Sequence, residues 1–280
     1  MMEMIMPGHP LLCRYISYIY RFSATDPQFS RQLVLFPNVG AAITIIKDLV
    51  FQPGENSSFL SRERPGESNV ILHLNRAERV TIKEEGRQYR IGIVFTPLGI
   101  NQFIRQHPGD LLEKYDPSLI PLAALDHSFR KFCITLYKER PLSEIAKEIE
   151  TLLLALYVPF TNDVLENCIR EFSLPLGLKN IQQLAGKLGA SPKTMNRLFR
   201  KYTGLTPVAF RRIMQFRNAI QAKMQTTATS FGQVAFDNDY CDTSYMTNVF
   251  RDLADSSTRD FFKHISSSGN SRYLYKESAG

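Results

Sequence analysis

Lys193, Asn196, Arg197 and Arg200 recur at helical intervals inside "SPKTMNRLFRKYTGLTP" (191–207), and Lys201 follows directly. Helical positions three and four apart share a face. These polar side chains therefore form one ridge, while Met195, Leu198 and Phe199 fall on the opposite side. The residue types match the edges of base pairs, since arginine can donate twice to guanine and asparagine can pair bidentately with adenine. The chemistry available to this ridge is recognition of a duplex, not the making of bonds.

The residues around the ridge define two helices. "IQQLAGKL" (181–188) begins after Asn180 and turns Ile181, Leu184, Ala185 and Leu188 to one side. Gly189 closes it, as a residue needing positive φ would. Ser191 is placed to cap the next helix, and Pro192 to occupy its first position, where a missing N–H costs nothing. A short helix, a tight turn and a second helix with a polar outer face make a helix-turn-helix, whose second helix enters a major groove. Lys193, Asn196 and Arg197 are the expected base readers. Arg200, Lys201, Arg211, Arg212, Arg217 and Lys223 are the expected phosphate contacts, which position a protein without reading sequence.

Charge is distributed to match. The 280-residue chain carries a net +7. Residues 1–171 hold 19 basic and 20 acidic side chains, whereas residues 172–280 hold 15 and 7. No acid occurs between Glu171 and Asp237, a span with ten basic residues. A surface of one sign over that length suggests a polyanionic partner. The region also repeats itself. An offset of 51 pairs Met195 with Met246, Phe199 with Phe250, Arg200 with Arg251 and Phe210 with Phe261; ahead of the turn an offset of 50 pairs Ala185 with Ala235. Two equivalent units are therefore expected.

The stretches "IQQLAGKLGASPKTMNRLFRKYTGLTPVAFRRIMQFRNAI" and "FGQVAFDNDYCDTSYMTNVFRDL" resemble the DNA-binding domain of the AraC/XylS family of transcription regulators, across 178–263. The resemblance implies two helix-turn-helix units joined by a long helix over 208–223. It also implies a regulator of transcription, activator or repressor, with no enzymatic activity and no cofactor, with double-stranded DNA as its partner and RNA polymerase as a candidate second one. The two recognition helices would enter successive major grooves, about 34 Å apart. By the same resemblance the base-reading positions fall on Lys193, Asn196 and Arg197 in the first unit. In the second they fall on Thr243, Ser244, Tyr245, Thr247 and Asn248.

The chain departs from the family pattern in its second unit. Asp239-Tyr240 stands where glycine and an aromatic residue are usual, "ADSST" (254–258) lacks the usual glycine and proline, and Asn248 stands where an arginine often reads DNA. Residues 237–263 hold six acids against three basic residues. The first unit is expected to anchor the protein and the second to add little affinity.

The N-terminal half reads differently. "AAITIIKDLVF" (41–51), "NVILHL" (69–74), "RVTI" (79–82) and "YRIGIVF" (89–95) alternate or are β-branched, and Pro/Gly/Asn turns separate them. Together with "HPLLCRYISYIYRF" and "RIGIVFTPLGINQFI" they resemble the N-terminal β domain of one branch of AraC-like regulators. That implies a cupin-like barrel or sandwich that senses a small-molecule effector or holds a homodimer together. Tyr15, Tyr18, Tyr20 and Phe22 are expected in a core or interface more than around a ligand, and no pocket is identifiable. His9, His73, His107 and His127 are isolated, so no metal site is expected. "SEIAKEIETLLLALY" (143–157) carries Ile145, Ile149, Leu152, Leu153 and Leu156 on one helical stripe, suited to packing on the β domain or pairing with a second subunit.

The expected fold is α+β in two domains. A β-rich sensor spans 1–125, a helical linker or dimerisation segment 126–171, an all-α double helix-turn-helix 172–265 and a disordered tail 266–280. No apolar run is long enough for a membrane span, and "MMEMIMPGHP" lacks the pattern of a signal peptide. The dispersed Cys13, Cys133, Cys168 and Cys241 fit reduced thiols in the cytoplasm. A rival reading is a DNA-targeted enzyme, such as an alkyl-transfer repair protein. That chemistry needs an activated cysteine, and none of the four lies in a motif that would activate it. No Ser/His/Asp set, phosphate loop or paired-carboxylate signature occurs either. A second rival is a protein-binding module, which salt would weaken less than a DNA-binding surface.

Overall fold

The computed structural model describes residues 1–55, 58–75, 77–134, 140–174, 180–225, 230–264, 266–267 and 274–278. The alternating segments form β1 (Met2–Ile5), β2 (Ile16–Ala24), β3 (Ser30–Leu35), β4 (Ala42–Pro53), β5 (Ser58–His73), β6 (Val80–Glu85) and β7 (Gln88–Phe95). A short β8 (Ile120–Pro121) pairs with β5. The sheet runs in the order β1-β2-β7-β4-β5-β6-β3, antiparallel except where β5 meets β6. Its β-branched and aromatic residues alternate between two faces. One face, with Ile19, Ile43, Ile45, Val70, Leu72, Ile91 and Ile93, is sealed beneath helices. The other carries Tyr18, Tyr20, Phe22 and Val94.

Short helices α1 (Pro108–Leu112), α2 (Leu122–Leu125) and α3 (Arg130–Ile134) lead to α4 (Leu142–Leu156) and α5 (Asp163–Ser173). On α4, Ile145, Ile149 and Leu153 are fully buried against the sheet core, with Leu152 and Leu156 packed beside them. The stripe is thus used within the chain. Glu150, on the same helix, accepts from the backbone N–H groups of Gly8 and His9 at 2.8 and 2.9 Å, which ties the N-terminus down. Helix α5 belongs to the other core, where Leu165, Cys168 and Phe172 meet Phe199 and its neighbours. The expected linker segment is therefore divided, α4 with the sensor and α5 with the DNA-binding domain.

The rest is helical: α6 (Ile181–Lys187), α7 (Pro192–Thr203), α8 (Pro207–Gln225), α9 (Phe231–Asp237), α10 (Thr243–Ala254) and α11 (Thr258–His264). The α+β architecture in two domains holds. Of the tail expected to be disordered (266–280), 266–267 and 274–278 are described, and the rest lies outside the described residues. Ser266–Ser267 (β9) pairs with Leu274–Ser278 (β10), and β10 pairs antiparallel with β3 from Tyr275↔Leu35 to Ser278↔Gln32. Without it β3 would expose a row of unpaired N–H and C=O groups, and the tail's backbone answers them.

The sensor domain also contributes residues to the helical core. Phe36 and Val39, from the loop after β3, are counted among the buried residues of the helical core. Phe36 lies edge-on to Phe261 at 4.9 Å and to Phe216 at 6.4 Å.

Candidate nucleic-acid interface

The first unit is built as its sequence dictates. The side chain of Asn180 accepts from the N–H groups of Gln182 and Gln183, opening α6. Gly189 closes it at φ 64°. Ser191 Oγ accepts from the N–H of Thr194 at 3.0 Å, and Pro192 takes the first position of α7. Met195 and Phe199 are fully buried and Leu198 partly so. Lys193, Asn196, Arg197 and Arg200 are exposed. The expected division of the helix into a sealed face and an open polar one is what the structure shows.

The second unit repeats this frame with different chemistry. Ser230 caps α9. Asp239 takes the place of Gly189 at φ 58°, and Asp255 the place of Gly204, at φ 53° against 77°. The left-handed region costs a typical L-residue roughly 1–2 kcal/mol and aspartate less, because its short side chain can bond locally. Asp239-Tyr240 thus keeps the shape of the usual glycine-containing turn. Asp242 caps α10, accepting from the N–H of Tyr245 at 2.7 Å. A carboxylate therefore stands at the N-terminus of α10, where the helix dipole would otherwise favour a phosphate; α7 has a neutral serine there. Thr243, Ser244, Tyr245 and Asn248 are exposed. Thr247 is only half-exposed, and its hydroxyl donates to Thr243 O at 2.9 Å. Asn248 Oδ1 accepts from Arg251 at 3.2 Å.

The expected phosphate contacts separate. Arg200 is exposed and Lys201 half-exposed, 5.3 Å from the Tyr202 ring. Arg211 is half-exposed, and Lys223 lies 5.2 Å from the ring of Phe231. Arg212 pairs with Asp252 of α10, which joins the linker helix to the second unit. Arg217 is a correction. Its Nε and Nη2 donate to the carbonyls of Pro37 and Phe36 at 2.6 and 2.7 Å, so it faces the sensor domain and not a duplex. Burial lowers its pKa to about 10, which still leaves it charged at neutral pH.

Arg217 also lines a cavity of about 160 Å³ that sequence reasoning missed. Tyr18, Tyr20, Phe51, Phe59, Val94 and Arg90 contribute to its wall. Tyr18 and Tyr20, expected in a core or interface, pack on the outer face of the sheet and border this space. Gly92 is needed beside them, since a Cβ there would lie 1.9 Å from the Tyr20 ring. Arg90 is paired with Glu84, which is completely buried and also holds Arg31 at 2.5 Å.

Residues 184–264 match the family described as "Helix-turn-helix domain". No curated protein matches the chain. Among solved structures it is similar to ToxT from Vibrio cholerae, determined at 1.65 Å, with 12% identity and a TM-score of 0.45 over 87% of this chain and 98% of that one. It is also similar to unsaturated fatty acid-bound wild-type ToxT of V. cholerae strain SCE256, with 13% identity and a TM-score of 0.46, covering 88% and 94%. A third is ToxT of V. cholerae O395 bound to (E)-4-(8-methylnaphthalen-1-yl)but-3-enoic acid, with 14% identity and a TM-score of 0.40, covering 87% and 97%.

Proposed function

We propose that the chain, whose residues 184–264 match a helix-turn-helix domain, is a sequence-specific, DNA-binding regulator of transcription of the AraC/XylS type. The observation that carries this reading is the open Lys193, Asn196 and Arg197 face of α7 above sealed Met195 and Phe199. On this reading α7 provides most of the affinity, and α10, with its carboxylate cap, adjusts sequence preference. Selection of sites from random DNA by the full-length protein is expected to yield a two-part motif with centres about 10 base pairs apart. Its binding should weaken steeply as salt rises. Failure to enrich any motif, or affinity that ignores salt, would favour a protein-binding module. For the enzyme rival, burial pushes the Cys168 thiol up to about 12 and raises that of Cys133, the reverse of what an attacking thiolate needs.

A second reading concerns the sensor. The aromatic and aliphatic wall of the cavity, with Arg217 on its lining, suits a small apolar acid whose carboxylate meets the guanidinium. Arg90 is the poorer partner because Glu84 already faces it. Ligand that binds only the folded state raises stability. Decanoate is therefore expected to raise the melting temperature of the full-length protein, and Arg217→Met to abolish the rise. An unchanged melting temperature in wild type, or an equal rise in the variant, would remove this assignment.

A further inference from the structure

The last turn of α7 is capped from outside its own domain. A helix leaves its final carbonyls without partners inside the helix. Here Arg200 O accepts from the N–H of Gly204 at 3.0 Å. Two of the carbonyls that follow it are met by the sensor domain. Asn101 Nδ2 donates to Tyr202 O at 3.0 Å, and Asn75 Nδ2 donates to Thr203 O at 2.9 Å. Both asparagines are buried, at 8% and 9% exposure. The backbone of α1 presses on the same turn, since a Cβ on Gly109 would lie 2.6 Å from Arg200 O. The His107 ring lies edge-on to Tyr202 at 4.9 Å.

We propose, resting on the DNA-reading role of α7, that Asn75 and Asn101 are positioning residues through which the sensor domain sets how α7 meets its groove. An amide suits the task because its N–H reaches a carbonyl without bringing a charge. A carboxylate at either place would face the negative end of the helix dipole. The turn they hold carries Arg200 and Lys201, so loosening it disperses phosphate contacts as well as the angle of the reading face. The second helix has a weaker tie to the same loop, in which Arg79 pairs with Asp255 at 2.8 Å and both side chains are substantially exposed. Asn75 directly follows Leu74, which borders the sensor cavity, so cavity wall and helix cap are adjacent residues of one strand end.

The test uses the full-length protein and the DNA site selected by wild type. Asn75→Leu/Asn101→Leu, close in size but without donors, is expected to bind about tenfold more weakly. Footprints should lose the half-site read by α7 before the other. Asn75→Asp/Asn101→Asp should lose at least as much. Circular dichroism at the assay temperature establishes that each variant is folded, and a variant that is not is replaced by its single mutants. Wild-type affinity in the folded leucine variant, tighter binding, or equal loss at both half-sites would overturn the positioning role. Arg197→Ala is the separate control. If it retains full affinity, the reading of DNA by α7 fails, and this proposal fails with it. If it loses affinity while the leucine variant does not, only the positioning role is lost.

Discussion

Replacing Arg197 by alanine is expected to weaken binding to the selected DNA site by ten- to a hundredfold, while Asn248→Ala weakens it less than about threefold. The larger figure follows from a bidentate contact to a base, worth about 1–3 kcal/mol, each 1.4 kcal/mol being a factor of ten. Arg197 is exposed, and it lies in a span of sequence, between Glu171 and Asp237, that contains no acid. Asn248 already gives its amide oxygen to Arg251. Its helix also opens on the carboxylate of Asp242, which repels the backbone that the helix would have to approach. The measurement is fluorescence anisotropy of both variants at one fixed salt concentration, because affinities at different salt cannot be compared. Equal losses would end the claim that the first unit dominates.

This asymmetry was legible in the sequence because it lies in residue types at local spacings. Ser191-Pro192, Gly189 and the Met195, Leu198, Phe199 stripe fix α7 with no reference to the rest of the chain. The repeat then transfers the frame to α10, even where Asp239 and Asp255 replace glycine, since the backbone keeps the same left-handed turns. Contacts between the domains were not legible. "LVLFPNVG" announces a strand and a turn, but not that Phe36 is buried among Phe216 and Phe261 of the other domain. Helix α8 hid the direction of Arg217 for a different reason. Phe210, Ile213, Met214, Phe216, Ala219 and Ile220 surround so much of the helix that no single polar face can be assigned. Asn75 and Asn101 carry no sequence signal, because an asparagine that caps a distant helix looks like any loop asparagine. The tail strand depends on the free edge of β3, which appears only when the sheet is assembled.

The unread part of the molecule is the joint, and the joint yields the other large effect. Phe36→Ala is expected to cost about 3–5 kcal/mol, the usual range for removing a buried phenylalanine ring that neighbours cannot replace. Phe36 is 6% exposed and is gripped on two sides by rings from α8 and α11. The loss falls on the surface between two cores, so it should change the form of unfolding and not only its midpoint. Wild type, with Phe36 and Val39 inside the helical core and β10 paired to β3, is expected to unfold in one cooperative transition. Phe36→Ala should separate it into two, with the sensor and the helical domain melting independently. Arg217→Met gives a smaller change in the same place. It forfeits two hydrogen bonds to carbonyls but also removes a guanidinium whose burial is unfavourable enough to lower its pKa to about 10. The net cost should be only about 1 kcal/mol, near that of an ordinary hydrogen bond. Differential scanning calorimetry of the three proteins decides the matter. A single transition in Phe36→Ala, shifted no further than in Arg217→Met, would mean that this ring does not join the domains.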